Sequence, residues 1–215
     1  MPSSTIALRA KASPPADAGG QALRTGVHAI LKRSMLAAVP LVALCGCAAT
    51  TSTNFTPSPQ QPVCNLSSTA LVVWSPQWRA DQKDVQAREL AASEGIGRFF
   101  QDSGCFASVT VRRVPQLSAS YVQSAASEAA QRYDTAVGLT VRELGPVVKI
   151  GSSAALVEGG TEVVLDIEEY KLPNEQRRSF SMHWRNGGPG IIKGVATLPQ
   201  DMQAALAAAL QPGAR

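Results

Sequence analysis

The sequence lacks any apolar run long enough to cross a membrane. The run from Met35 to Cys47 has 13 residues, whereas a spanning helix needs roughly 20 to cover about 30 Å of hydrocarbon. Histidine is almost as scarce: the chain has two, His28 and His183, and His183 alone follows that run. One histidine cannot assemble a zinc site without several cysteine or carboxylate partners, and its place on a strand beside Ser181 and Arg185 reads as a solvated surface residue. There is no Gly-x-Ser-x-Gly elbow for a nucleophilic serine. The glycine clusters "EGIG", "EGGTE" and "NGGPG" lack the strand-to-helix setting of a phosphate-binding loop. Glu168 and Glu169 are adjacent in a strand pattern and point to opposite faces, so they do not form a catalytic pair. These absences predict no enzyme, metal or cofactor, and no internal repeat marks a solenoid.

The net charge of +4 comes from the first part of the chain. Of 20 Lys and Arg, five (Arg9, Lys11, Arg24, Lys32, Arg33) precede Cys47, and of 16 Asp and Glu only Asp17 does. The 169 residues from Cys47 onward therefore carry 15 charges of each sign. A neutral domain gives no electrostatic case for nucleic acid.

Lys32 and Arg33, the short apolar run and the small residues closing it have the make-up of a secretory signal. A buried core helix is the competing reading, but no polar face interrupts the run. Its end, Leu44-Cys45-Gly46-Cys47, resembles the lipobox of bacterial lipoproteins, with Cys45 where alanine or serine is usual. The resemblance implies cleavage before Cys47 and acylation of that cysteine, palmitate included. More than one acyl chain suffices for a stable anchor, so the membrane is one expected partner. Ala48, in place of the aspartate linked to inner-membrane retention, implies the outer membrane, facing the periplasm. Residues 1–46 then form the signal peptide. Its polar first 31 residues are either a long extension or a start site placed too early. Residues 47–62, "CAATTSTNFTPSPQQP", have few large apolar side chains and read as the lipidated cysteine and a flexible tether.

With Cys47 committed to lipid, Cys64 and Cys105 remain. In an oxidising compartment an even remainder predicts a disulfide; two buried free thiols are the alternative. If the strands they precede are parallel neighbours, both cysteines lie at one end of the sheet.

Residues 63–215 predict a single α/β domain with a mixed, partly parallel sheet and about three helices, in the order β-α-β-α-β-β-β-α. "TALVVW" (69–74) reads as a central strand buried on both faces. A helix with Val85, Ala92, Ile96 and Phe99 on one stripe follows, ending near Gly104. "ASVTVRR" completes a β-α-β unit with parallel strands. A second helix spans about Ser118 to Arg132. The strand after it turns Val137, Leu139 and Val141 inward. Val163, Leu165 and Ile167, and then Phe180, Met182 and Trp184, mark a hairpin around "PNEQ". Thr197 to Gln200 has the form of a capping box opening a last helix, whose stripe is Leu198, Met202, Leu206, Ala209 and Leu210. Between two of these strands, "GPVVKIGSSAALVEGG" (145–160) reads either as an extra hairpin or as an exposed edge that docks a partner by strand addition.

"ALVVW", "YDTAVGLTVREL" and "LPQDMQAALAAAL" are similar to two groups of periplasmic lipoproteins: the auxiliary lipoproteins of ABC-type envelope lipid transport, and the curli-secretion/TolB-N-terminal-like group. The first implies a non-enzymatic accessory module for envelope transport or assembly, with an envelope protein as partner. The second implies an activator of a cell-wall synthase.

Overall fold

A computed structural model describes residues 49–129, 132–150, 157–172 and 176–211 of the 215-residue chain. Residues 1–48, which include the expected signal segment and Cys47, and residues 151–156 lie outside the described residues. So do Pro173 to Glu175 of the expected turn.

The elements run β1 (Thr50–Thr56), β2 (Asn65–Pro76), α1 (Val85–Asp102), β3 (Phe106–Arg113), α2 (Ala119–Ala129), β4 (Thr135–Ile150), β5 (Val157–Lys171), β6 (Gln176–Pro189) and α3 (Leu198–Leu210). They form one six-stranded sheet in the order β1-β6-β5-β4-β2-β3. β2 is parallel to both β3 and β4, and the remaining pairs are antiparallel. This is the mixed α/β architecture expected from the sequence.

The placement of β2 explains the two helix layers. From β2 the chain moves outward to β3 through α1, then back across β2 to β4 through α2. Right-handed crossovers in opposite directions put their helices on opposite faces. Accordingly Ala70, Val72 and Trp74 of β2 pack with α1 and α3 in the main core, while Leu71 and Val73 face Leu117, Ala125 and Tyr133. Both faces of "ALVVW" are thereby buried, which is why the run has no polar break. Val137, Leu139, Val141, Val163, Leu165, Ile167, Phe180, Met182 and Trp184 all lie in the main core. Helix α2 packs on β2, on β4 and, through Val122, on Tyr170 near the end of β5, and the rest of the β4–β5–β6–β1 face is open on that side.

Two helix details differ from expectation. Val85 is partly exposed, and the buried residue of the first turns of α1 is Arg88. Thr197 makes no side-chain capping bond; its hydroxyl faces the Gly194 carbonyl and the Asp201 carboxylate instead. Gly104 lies just past α1 at φ 59°, the left-handed conformation that favours glycine there. Gly95 lets α1 and α3 approach closely: a Cβ on it would stand 2.6 Å from Met202 Cβ.

Seven residues of the segment read as a tether form a strand. Thr50 to Thr56 pair with Gly187 to Ser181 of β6, forming an antiparallel edge, and Phe55 packs edge-on against Phe180 at 6.1 Å. Main-chain pairing with an unsatisfied sheet edge drives this, helped by β-branched threonines; hydrophobic content does not reveal it. The segment 145–160 is likewise not a separate hairpin. β4 and β5 continue as one strand pair from Glu143–Val164 out to Ile150–Val157, past a register shift between Val141 and Glu143.

Cys64 and Cys105 form a disulfide with Cα atoms 4.6 Å apart. They precede the parallel neighbours β2 and β3, at one end of the sheet. Asp134 ties that end together: its carboxylate accepts from the Thr69 amide at 2.7 Å and the Thr69 hydroxyl at 2.9 Å. Those two bonds, the amide first, hold its pKa below the usual 3.8. A carboxyl lowered in the folded state stabilises the fold above its unfolded pKa, and that contribution is lost as pH falls through the folded value. Urea midpoints of wild type should therefore drop toward those of Asp134→Asn below about pH 4. Parallel curves over that range would contradict this role.

Candidate interaction groove

The open face and the free edge of β4 meet in a groove of about 680 Å³. Its origin is a mismatch in strand length. β2 ends at Pro76, opposite Val141, whereas β4 runs on to Ile150. Beyond Val141, β4 has β5 on one side and, among the described residues, no strand on the other.

Arg88 occupies the start of that free edge. Its Nε donates to the Lys83 carbonyl at 2.8 Å, and its Nη1 donates to Glu143 Oε1 at 2.8 Å and the Leu144 carbonyl at 2.6 Å. A side-chain guanidinium thus replaces the missing strand as a donor to the β4 backbone. Gly145 makes room for it, since a Cβ there would overlap Nη1. Glu143 also faces Arg79 at 3.4 Å and accepts from Gln82 at 3.3 Å. Past this cluster Pro146, Val147 and Val148 form the groove's apolar wall.

The open face beside the groove is a lattice of matched charges. The outward acids of β5 each meet a neighbour on β4 or β6. Glu158 faces Arg185 at 3.6 Å, and Asp166 faces Arg142 at 3.2 Å while accepting from Ser181 at 2.6 Å. Glu168 accepts from Arg177 at 3.1 Å and from Tyr170 at 3.0 Å. Burial first, and then the Glu168 carboxylate, push the Tyr170 phenol above its ordinary pKa, keeping it a donor. His183 Nε2 lies against Glu162 Oε1. His183 is thus half exposed in a cross-strand pair with a carboxylate.

Glu168 and Glu169 do lie on opposite faces. Glu169 is buried and accepts from Arg178 Nε at 2.8 Å. Arg178 also donates to the Gln61 and Pro62 carbonyls and stacks over Phe180, pinning the β1–β2 connection. The disulfide lies at the end of the sheet away from the groove. Among the described residues no His/Cys/Asp/Glu cluster has the form of a metal site, and no helix is long and apolar enough to cross a membrane.

Sequence reasoning did not find the Arg88–Glu143 cluster. Arg88 sits one helical turn after Val85, within a pattern otherwise read as solvated, and its partner is 55 residues away. It also missed Asp201, which accepts from Thr161 at 2.5 Å and Lys193 at 2.6 Å beneath the sheet.

No family model matches the chain, and no curated protein matches it in sequence. Among solved structures it is similar to the PelC dodecamer from Paraburkholderia phytofirmans, at 17% identity over 76% of this chain and 97% of that one, with a TM-score of 0.43. It is also similar to a Xanthomonas campestris protein of the DUF330 family model, at 15% identity over 71% and 83%, TM-score 0.35. A third is lipoprotein GNA1162 from Neisseria meningitidis, at 13% identity over 66% and 99%, TM-score 0.33.

Proposed function

We propose that the protein is a lipid-anchored periplasmic lipoprotein of the outer membrane, acting as a non-enzymatic accessory module for envelope transport or assembly. The disulfide carries this reading. A Cys64–Cys105 bridge belongs to an oxidising compartment, and the lipobox-like Leu44-Cys45-Gly46-Cys47 supplies both the export signal and the anchor. The groove supplies the docking site. Its free β4 edge offers unpaired backbone groups for strand addition, and its charge-matched wall favours a partner of mixed charge.

Two measurements test it. Metabolic palmitate labelling and sedimentation with membranes should both be lost in Cys47→Ser; labelling that survives the substitution defeats the anchor. In crosslinked membranes, Val147→Lys and Arg142→Glu together should reduce capture of an envelope partner at least several-fold without changing membrane association. Undiminished capture removes the groove from the function.

A further inference from the structure

At the end of the sheet opposite the disulfide, four strands align in one row. Thr50 of β1 faces Gly187 of β6, Gly187 faces Gly160 of β5, and Gly160 faces Val147 of β4. The next row contains Gly188, Gly159 and Val148. The loop leaving β6 crosses this second row: a Cβ on Gly159 would stand 1.9 Å from the Ile191 carbonyl oxygen and 3.8 Å from Ile192 Cα. Only a residue without a side chain admits so close a crossing. Lys193 then fixes the loop from the core side, its ammonium 2.6 Å from Asp201 Oδ1. The loop so held presents apolar surface outward. Ile192 is 92% exposed, and Val148 in the row beneath is 64% exposed.

Chain length says what lies against this surface. Cys47 is three residues before Thr50, and an extended chain covers at most about 3.6 Å per residue, so the two Cα atoms are within about 11 Å. From Thr50 onward β1 is paired to β6 through seven consecutive register positions, leaving no slack. Strands about 4.8 Å apart put Val147 about 14 Å across the row from Thr50. An acyl anchor on Cys47 therefore brings the bilayer to the same end of the sheet as Ile192 and Val148.

We infer that this end of the domain rests on the lipid surface, with Ile192 and Val148 entering the boundary between headgroups and acyl chains beside the anchor. The inference depends on the acylation of Cys47 proposed above, and adds to it a fixed orientation. The disulfide end points away from the membrane, and the β4 edge rises from its surface.

The test uses the full lipidated protein in phosphatidylethanolamine–phosphatidylglycerol vesicles. With Cys47 acylated and Cys64–Cys105 oxidised, the cysteine introduced by Ile192→Cys is the thiol available for an environment-sensitive fluorophore. Leu66→Cys is the control: Leu66 is 75% exposed and sits at the start of β2, the opposite end. In protein that floats with the vesicles, spin-labelled lipid should quench the label at position 192 several-fold more than at position 66, and aqueous iodide several-fold less. Equal access of iodide to both labels, with flotation intact, overturns the orientation and leaves the anchor standing. Protection from iodide at position 192 without lipid quenching means that a protein covers the loop, and also overturns it. Loss of flotation by the wild-type protein defeats the anchor, and the orientation with it.

Discussion

Replacing both bridging cysteines, as Cys64→Ala with Cys105→Ala, is expected to lower the free energy of unfolding by about 4 kcal/mol. The bridge closes a loop with a sequence separation of 41 residues, and in the chain-entropy picture the loss comes from releasing that loop in the unfolded state. The double substitution isolates this effect, because a single one leaves an unpaired thiol beside the core. Wild-type protein unfolded in urea with reductant should approach the double variant, while the variant itself should not respond to reductant. A difference below about 1 kcal/mol would show that the unfolded chain is already confined near this end. For a domain whose whole stability is of order 5–15 kcal/mol, the loss separates a secure fold from a marginal one. Folding in a reducing compartment should then give poor yields.

The second large effect is expected at Asp201, in the first turn of α3. Its carboxylate is 7% exposed and accepts from Thr161 at 2.5 Å and Lys193 at 2.6 Å, with the Thr197 hydroxyl 3.1 Å away. Asp201→Ala removes the charge that compensates Lys193 and the acceptor that Thr161, itself fully buried, requires. Breaking one partner of such a buried pair costs about 3 kcal/mol or more. Asp201→Asn keeps an acceptor and should cost less. Replacing the ion pair with apolar residues, as Asp201→Leu with Lys193→Met, should recover much of the loss, because no unpaired ammonium remains. Urea midpoints for the three variants check the order. If the alanine and double variants are equally unstable, the cost is one of shape rather than of charge.

These two features illustrate what the sequence makes legible. The disulfide is readable because two signals converge: the signal-like run before Cys47 implies an oxidising compartment, and the "TALVVW" and "ASVTVRR" patterns put both cysteines before neighbouring parallel strands. The inward faces of β4, β5 and β6 are readable for a similar reason, since period-two alternation of Val, Leu, Ile, Phe, Met and Trp specifies one buried side. β1 is not readable this way. Its stability comes from backbone bonds to β6, and its one large apolar contact, Phe55 on Phe180, spans 125 residues of sequence. The Thr161–Asp201–Lys193 cluster is hidden for the same reason, since polar residues in a helix and a strand look solvated until tertiary structure covers them. The groove depends on where β2 stops relative to β4. Strand ends are set by register and by the shift near Arg142, and neither leaves a mark in composition.

The edge strand β1 also determines how the domain bears force. With Cys47 as the anchor proposed above, a domain drawn away from the bilayer by a partner would transmit the pull along the axis of β1. The bonds of an antiparallel ladder run across the strands, so this load acts in shear, and all seven register positions from Thr50–Gly187 to Thr56–Ser181 resist together. The same strand pulled sideways would open one pair at a time, like a zip. Lengthening the chain between Cys47 and Thr50 would leave the fold intact yet let the pull tilt away from the strand axis, exchanging a strong mechanical attachment for a weak one.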